Sequence, residues 1–416
     1  MRIDSRQMIA LCNQFLKFYD SRLVEHGERV ACIACKLMAQ FEHREQLELK
    51  NVVLLALFHD IGAYKTEEID RLLEFETVDA ERHSIYGYLF LKNFTNLSAL
   101  AQAVLYHHTP NSRLEGVSPV IRYYAQLIRL ADRVDIALEN KTSPEELIPR
   151  LRRLDFEPSC LKALEKAVSQ GKVTAPVAGE ERERWEQEVL SSIPVSQQEA
   201  LTYLKMMVHT IDFKSEATAL HSTNTVIISC FLGEKLGLTQ PQMESLSCAA
   251  LIHDLGKAQV PNSILECAGR LSEGQMAVMR RHVEYTYEII KDILPQDIVD
   301  IATRHHEKLD GSGYPNGLKA AQLTQSDRIL AVADIVSALS SRRSYKDGYS
   351  WLRTLHILED MANRGLIDRE AAGVIGENYL ELQAVIERQS KPILRRYQAI
   401  RTQYEGMLTG GVCRTR

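Results

Sequence analysis

Long hydrophobic runs are missing from this chain. No stretch approaches the roughly 18 consecutive apolar residues that a membrane-spanning helix needs. No signal-peptide pattern opens it, so a cytoplasmic protein with no membrane partner is expected. Strand-type alternation of apolar and polar residues is essentially missing too, which argues against a β-rich fold. Charge of one sign is also lacking: 50 basic residues stand against 55 acidic ones, for a net charge of −5. That balance argues against a general nucleic-acid coat, and neither a DNA nor an RNA polymer is expected as a partner. Any anionic ligand must therefore be drawn by a local basic cluster. Cysteine is present, 8 in all, but scattered. Cys32 and Cys35 form a CxxC within a helical pattern, which reads as core packing in a reducing compartment rather than as a zinc knuckle.

What is present reads almost entirely as helix. Val30, Ile33, Ala34, Leu37, Met38 and Phe41 recur at three- and four-residue spacing within 24–41, and 222–236, 281–294 and 325–339 behave alike. The expected fold class is all-α, with room in 416 residues for two or three domains. Proline and glycine gather at 109–119, 141–149, 171–179 and 310–317, which are expected as loops.

The chain carries one pattern twice. The first copy runs His26, His59-Asp60-Ile61-Gly62, His83, His107-His108 and Asp132. The second runs His221, His253-Asp254-Leu255-Gly256, His282, His305-His306 and Asp334. Ten of the 13 histidines fall on this scheme. A lone histidine on an apolar helix face is usually a packed core residue, but the same order recurring twice is hard to assign to chance.

Imidazole and carboxylate suit Zn, Mn and non-haem Fe. An aspartate directly after a histidine can bridge two cations while the histidine binds one of them. His221, His253, Asp254, His282, His305, His306 and Asp334 exceed what one ion needs and fit a pair sharing a bridging group. Such a pair suits phosphate ester cleavage. Lys257, three residues beyond Asp254, would share its side of a helical turn and reach a phosphate oxygen. Arg343 and Lys346, in the basic stretch after Asp334, offer a phosphate clamp. The run His305-His306-Glu307-Lys308-Leu309-Asp310-Gly311-Ser312-Gly313-Tyr314-Pro315 adds two carboxylates and a stiff turn, because Pro315 fixes its own φ and restricts Tyr314.

Residues 200–405 resemble an HD-GYP domain, a branch of the HD superfamily of metal-dependent phosphohydrolases. The resemblance rests on His253-Asp254-Leu255-Gly256-Lys257, on Val260-Pro261-Asn262-Ser263-Ile264-Leu265, on the complete HHExxDGxGYP run and on Ala333-Asp334. It implies a five-helix core with added helices and an Fe- or Mn-type site, with Ni or Zn also accommodated. It further implies hydrolysis of a cyclic dinucleotide, cyclic di-GMP or 3′3′-cyclic GMP-AMP, to linear dinucleotide or mononucleotide by attack of a metal-bridging hydroxide. By motif, Asp254 bridges, Lys257 lies near the phosphate, Arg343 and Lys346 bind it, and Tyr314 belongs to the substrate loop.

This copy departs from the family at two places. Three-metal members carry a glutamate four residues before the first histidine, where this chain has Ala217, with Glu216 one place off, so two divalent ions are expected. The usual Arg-Pro-Tyr reads Arg343-Ser344-Tyr345.

The first half resembles an HD domain without the GYP hallmark. His26, His59, Asp60, His83, His107, His108 and Asp132 form a second candidate ligand set. Ala63 stands where the motif has lysine, although Lys65 is near, and Thr109-Pro110-Asn111-Ser112 follows His108. The expected organisation is a divergent HD domain at 1–145, a helical connector at 146–199, the catalytic domain at 200–405 and a flexible tail at 406–416. A homodimer is allowed for. The competing reading is a non-catalytic receptor that binds a nucleotide and signals through a partner, and the complete GYP loop weighs against a simple nucleotidase.

Overall fold

The computed structural model describes residues 5–63, 81–212, 216–265, 267, 269–340 and 350–410. Every named element among them is an α- or 3-10 helix, and the isolated bridge pairs Asp310 with Lys319. The all-α expectation holds. None of these helices is long and apolar enough to cross a membrane.

The chain forms two compact units. One combines the described residues of Met1–Tyr19 with Met207–Ala399, and the other combines Asp20–Met206 with those of Ile400–Arg416. The described residues among the first nineteen positions thus group with the second copy of the pattern. The helices Pro158–Ser169 and Gly179–Glu188, within the expected connector, belong with the first copy, and the last helix, Tyr379–Gly410, continues through 406–410.

Each unit has the same five-helix plan. Around the first pattern, Ser21–Met38 packs on Leu49–Leu57 and Pro119–Glu139, while Glu81–Phe94 meets the short helix Gln102–Leu105. Around the second, Glu216–Lys235 packs on Gln240–Ile252 and Gln325–Ser340, while His282–Ile290 meets Gln296–Thr303. The three-and-four spacing becomes the buried face: Val30, Ile33, Ala34, Leu37 and Phe41 are all buried. Two helix starts show the local chemistry. Thr239 and Gln242 form a capping box with Pro241 in the first turn. Residues 141–149, expected as loop, turn helical at Pro144, because Ser143 accepts a hydrogen bond from the Glu146 amide at 3.3 Å and proline suits the first helical position.

The glycine after each histidine–aspartate pair has a steric reason. A Cβ on Gly256 would lie 2.0 Å from the His282 carbonyl oxygen, and one on Gly62 would lie 2.0 Å from that of His83. Only glycine lets the turn approach the third helix so closely. In the second unit Thr286 secures that approach, accepting from the Gly256 amide at 2.9 Å and donating to the His253 carbonyl at 3.0 Å. Of the described cysteines, Cys12, Cys32, Cys160 and Cys248 are buried. All seven described ones are free, and burial pushes Cys32 up to about 11 and Cys35 up to about 12.

Candidate metal centre

In the second unit all seven expected ligands converge from five helices. His221 comes from the first helix of the plan, His253 and Asp254 from the end of the second, and His282 from the start of the third. His305 and His306 follow the fourth, and Asp334 lies in the fifth. Asp254 is the hub. Its Oδ2 lies 3.3 Å from His221 Nε2 and 3.2 Å from His253 Nε2, while its Oδ1 lies 3.4 Å from His282 Nε2. Asp334 Oδ1 approaches His221 Nε2 at 3.2 Å, and its Oδ2 lies 3.7 Å from His306 Nδ1. The donors fall into two groups, His221–His253–Asp254 and His282–His305–His306, each with its ligand atoms within 4.8 Å of one another.

The imidazoles are pre-oriented by their far nitrogens. Nδ1 of His253, His282 and His305 faces the carbonyls of Ala250, Met279 and Ala302 at 2.7, 2.6 and 2.7 Å. A carbonyl only accepts, so each Nδ1 carries the hydrogen and each Nε2 presents a lone pair inward. His221 is anchored by Ser337, whose Oγ is 3.0 Å from its Nδ1. Burial takes His282 down to about 3, His306 down to about 4, and His305 well below its usual range. Nε2 of His282 and of His305 are then two lone pairs facing each other at 3.4 Å. His253 Nε2 and Asp254 Oδ1 are buried without a hydrogen bond. A divalent cation satisfies all of these atoms, so the residues fit a metal centre. Against the cost of burial, hydrogen bonds to Asp254 and Asp334 raise His221 to about 9, while neighbouring cationic and imidazole groups hold Asp254 far below the usual carboxylate range.

Lys257 is placed by a 3-10 turn, Leu255–Gln259, in which residues three apart eclipse one another. Its ammonium donates to Asp254 Oδ2. The loop after His306 is folded by its carboxylates. Buried Glu307 accepts from the amides of Asn316 at 2.7 Å and Leu318 at 2.9 Å, and Asp310 accepts from Ser312 at 2.9 Å. Both acids of the run therefore build the turn, with the Tyr314–Pro315 peptide cis. The turn brings Tyr314 over His306, ring centres 4.7 Å apart, with the exposed Arg280 guanidinium 5.0 Å from the tyrosine ring.

The first unit repeats the plan. Asp60 Oδ2 lies 3.4 Å from His59 Nε2, and its Oδ1 lies 3.4 Å from His83 Nε2 and 3.5 Å from His107 Nε2. His26 Nε2 is 3.2 Å from Asp132 Oδ1, and His108 Nδ1 is 3.9 Å from Asp132 Oδ2. Again two donor groups form, His26–His59–Asp132 and Asp60–His83–His107–His108.

Known proteins decide the family. Residues 23–137 and 197–371 each match the family described as HD domain. Over 377 residues the chain is 29% identical to 3′3′-cGAMP-specific phosphodiesterase 1 of Vibrio cholerae, covering 85% of this chain and 87% of the relative. The chain contains two HD domains. The second is of the HD-GYP type. The chain is also 34% identical over 168 residues to the cyclic di-GMP phosphodiesterase response regulator RpfG of Xanthomonas campestris, covering 40% of this chain and 44% of that protein. A solved cyclic GMP-AMP-specific phosphodiesterase of V. cholerae, V-cGAP3, shares the fold at a TM-score of 0.52 and 19% identity, over 92% of this chain and 97% of that one.

Several expected residues of the HD-GYP domain and its partner fall elsewhere. Arg343 and Lys346 lie outside the described residues, as do Lys65 and the side chains of Glu216 and Ala217. Ala63 is fully buried in the position that Lys257 holds. The sequence reading missed three features. Arg280 sits two residues before His282 with no motif to mark it. Arg133 enters the first HD site beside Asp132. The third is the partner of each first histidine, Ser337 for His221 and Asp135 for His26, the latter at 2.8 Å. Both partners lie three residues beyond the last aspartate, a regularity that aligning the two copies exposes.

Proposed function

We propose that this protein is a metal-dependent phosphodiesterase that opens a cyclic dinucleotide, 3′3′-cyclic GMP-AMP or cyclic di-GMP, within its HD-GYP domain. One observation carries the reading: two groups of lone-pair donors meet around Asp254, whose Oδ2 accepts from the Lys257 ammonium, while Tyr314, under a guanidinium, packs against His306. The relatives named above support the substrate class. His221, His253, Asp254, His282, His305, His306 and Asp334 would hold two divalent ions, Fe or Mn by donor type. When bound, such ions supply a water nucleophile at neutral pH and offset charge on the non-bridging phosphate oxygens.

The remaining chemistry belongs to side chains. Lys257 exchanges Asp254 for a phosphate oxygen, a charge-assisted contact that strengthens as charge gathers there. Tyr314, packed against His306 with the ring planes 31° apart, offers a base the stacking surface that the exposed Arg280 guanidinium covers here. Arg343 and Lys346 complete the phosphate clamp. Residues 200–405 form the catalytic domain, and residues 1–145, lacking both lysine and GYP loop, have a regulatory role. The buried free thiols suit a cytoplasmic location, and a homodimer is the assembly we favour. Incubating the Mn-loaded full chain with each dinucleotide should yield linear product from at least one. No turnover of either under metal-replete conditions leaves the receptor reading in its place.

A further inference from the structure

The helix Glu273–Arg280 of the HD-GYP domain ends in two adjacent arginines, with Arg281 as its cap residue, and the two are used differently. Arg281 lies against its own neighbours, its guanidinium 4.8 Å from the Tyr285 ring and its Nε 3.8 Å from Glu284. Arg280 instead stands over Tyr314, 5.0 Å from the ring centre. It is exposed, and among the described residues no carboxylate pairs with it. The Tyr314 ring in turn packs on His306, so this guanidinium lies beside the ion-donor groups without belonging to them. The two copies of the pattern match at one arginine and oppose each other at the other. Arg82 precedes His83 as Arg281 precedes His282, but Glu81 stands where the HD-GYP domain has Arg280. The copy without the GYP loop thus also lacks this cation.

In the reading above the scissile phosphodiester already has its partners, the ion donors and Lys257 beside Asp254. What reaches Tyr314 is a base. A base stacked on the ring takes the guanidinium's place and moves it to the base's own edge. There a planar fork of N–H donors, with no acceptor of its own, matches guanine, whose O6 and N7 both accept. It does not match adenine, whose N6 donates next to N7. We infer that Arg280 is the specificity-determining residue of the HD-GYP domain: it reads the O6–N7 edge of a guanine stacked on Tyr314, so that a good substrate carries at least one guanine. The inference rests on the phosphodiesterase reading and adds a consequence for the mixed dinucleotide. 3′3′-cyclic GMP-AMP has one guanine and two phosphodiesters. Seating that guanine on Tyr314 presents the same phosphodiester to Lys257 every time. Water then adds across one P–O3′ bond only, leaving a 5′-phosphate and a 3′-hydroxyl at a fixed place in the linear product.

The test gives cyclic di-GMP, 3′3′-cyclic GMP-AMP and cyclic di-AMP to the Mn-loaded full chain, with the linear isomers separated by chromatography against standards. Wild type should favour the two guanine-bearing substrates over cyclic di-AMP by at least about tenfold in kcat/KM. It should release one of the two linear isomers from 3′3′-cyclic GMP-AMP. Arg280→Ala, at an exposed position, should raise KM about tenfold on the guanine-bearing substrates with kcat nearly unchanged. It should leave cyclic di-AMP within about twofold of wild type and release both isomers. Arg280→Lys keeps the charge but loses the fork and should behave as Arg280→Ala does, whereas Arg281→Ala should behave as wild type. Equal loss on all three substrates, a single isomer from Arg280→Ala, or full rescue by Arg280→Lys overturns the inference. Should wild type open none of the three, the phosphodiesterase reading fails by itself, and calorimetric binding of the same three ligands to wild type and Arg280→Ala decides. A guanine preference lost with Arg280 then upholds the inference, and an unchanged preference or no binding overturns it.

Discussion

The turn after His59-Asp60 and the turn after His253-Asp254 share a plan and differ in a few side chains, and the proposed functional contrast rests on those few. Each has a glycine jammed against the third helix, a central aspartate with its oxygens facing different histidines, and imidazoles aimed by backbone carbonyls. The second then adds Lys257 beside Asp254 and the Glu307-stapled loop that lays Tyr314 on His306. The first has buried Ala63 at the lysine position and Arg133 at the wall. The HD scaffold thus brings together donors fit for ions, whereas the groups proposed to meet a phosphate and a base are added by single positions and one loop.

Short of removing a metal ligand, the largest effect is expected from Lys257→Ala. Its loss should cost about 100-fold in kcat/KM with metal content unchanged. The reciprocal Ala63→Lys should create no activity in the first domain, and hydrolysis by an Ala63→Lys chain carrying Asp254→Ala would break the contrast. Glu307→Ala removes the acceptor of two backbone amides, at a cost of about 2 kcal/mol in loop order. It should raise KM more than it lowers kcat, measured by initial rates across substrate concentration.

Much of this was legible in the sequence, and the limits have physical causes. The duplicated histidine–aspartate order located both sites, since a ligand set is a matter of residue type and sequence order. The helical fold followed from apolar spacing. What stayed hidden depended on direction. Proline in 141–149 read as a breaker, although Pro144 starts a helix behind the Ser143 cap. Glu307 read as an acid beside two histidines, whereas its carboxylate turns away to the Asn316 and Leu318 amides. Arg133 carried no sequence signal, because spacing does not say which cation points into a buried site.

Smaller effects sharpen the comparison at the anchors. Ser337→Ala frees the far nitrogen of His221 and should weaken metal binding in the HD-GYP domain by about tenfold, while Asp135→Ala does the same to the first domain alone. Titration of each variant with Mn(II) checks this, and equal loss at both sites would contradict it. Tyr314→Phe keeps the ring over His306 and should change kcat/KM by no more than about twofold, as a stacking role requires.

The most direct measurement sets Asp254→Ala beside Asp60→Ala in the full-length, metal-loaded protein, following linear product from 3′3′-cyclic GMP-AMP and from cyclic di-GMP. Asp254→Ala should lose more than about 1000-fold on either substrate, and Asp60→Ala should stay within about tenfold of wild type. Turnover that survives in Asp254→Ala, or vanishes in Asp60→Ala, would place catalysis outside the HD-GYP domain.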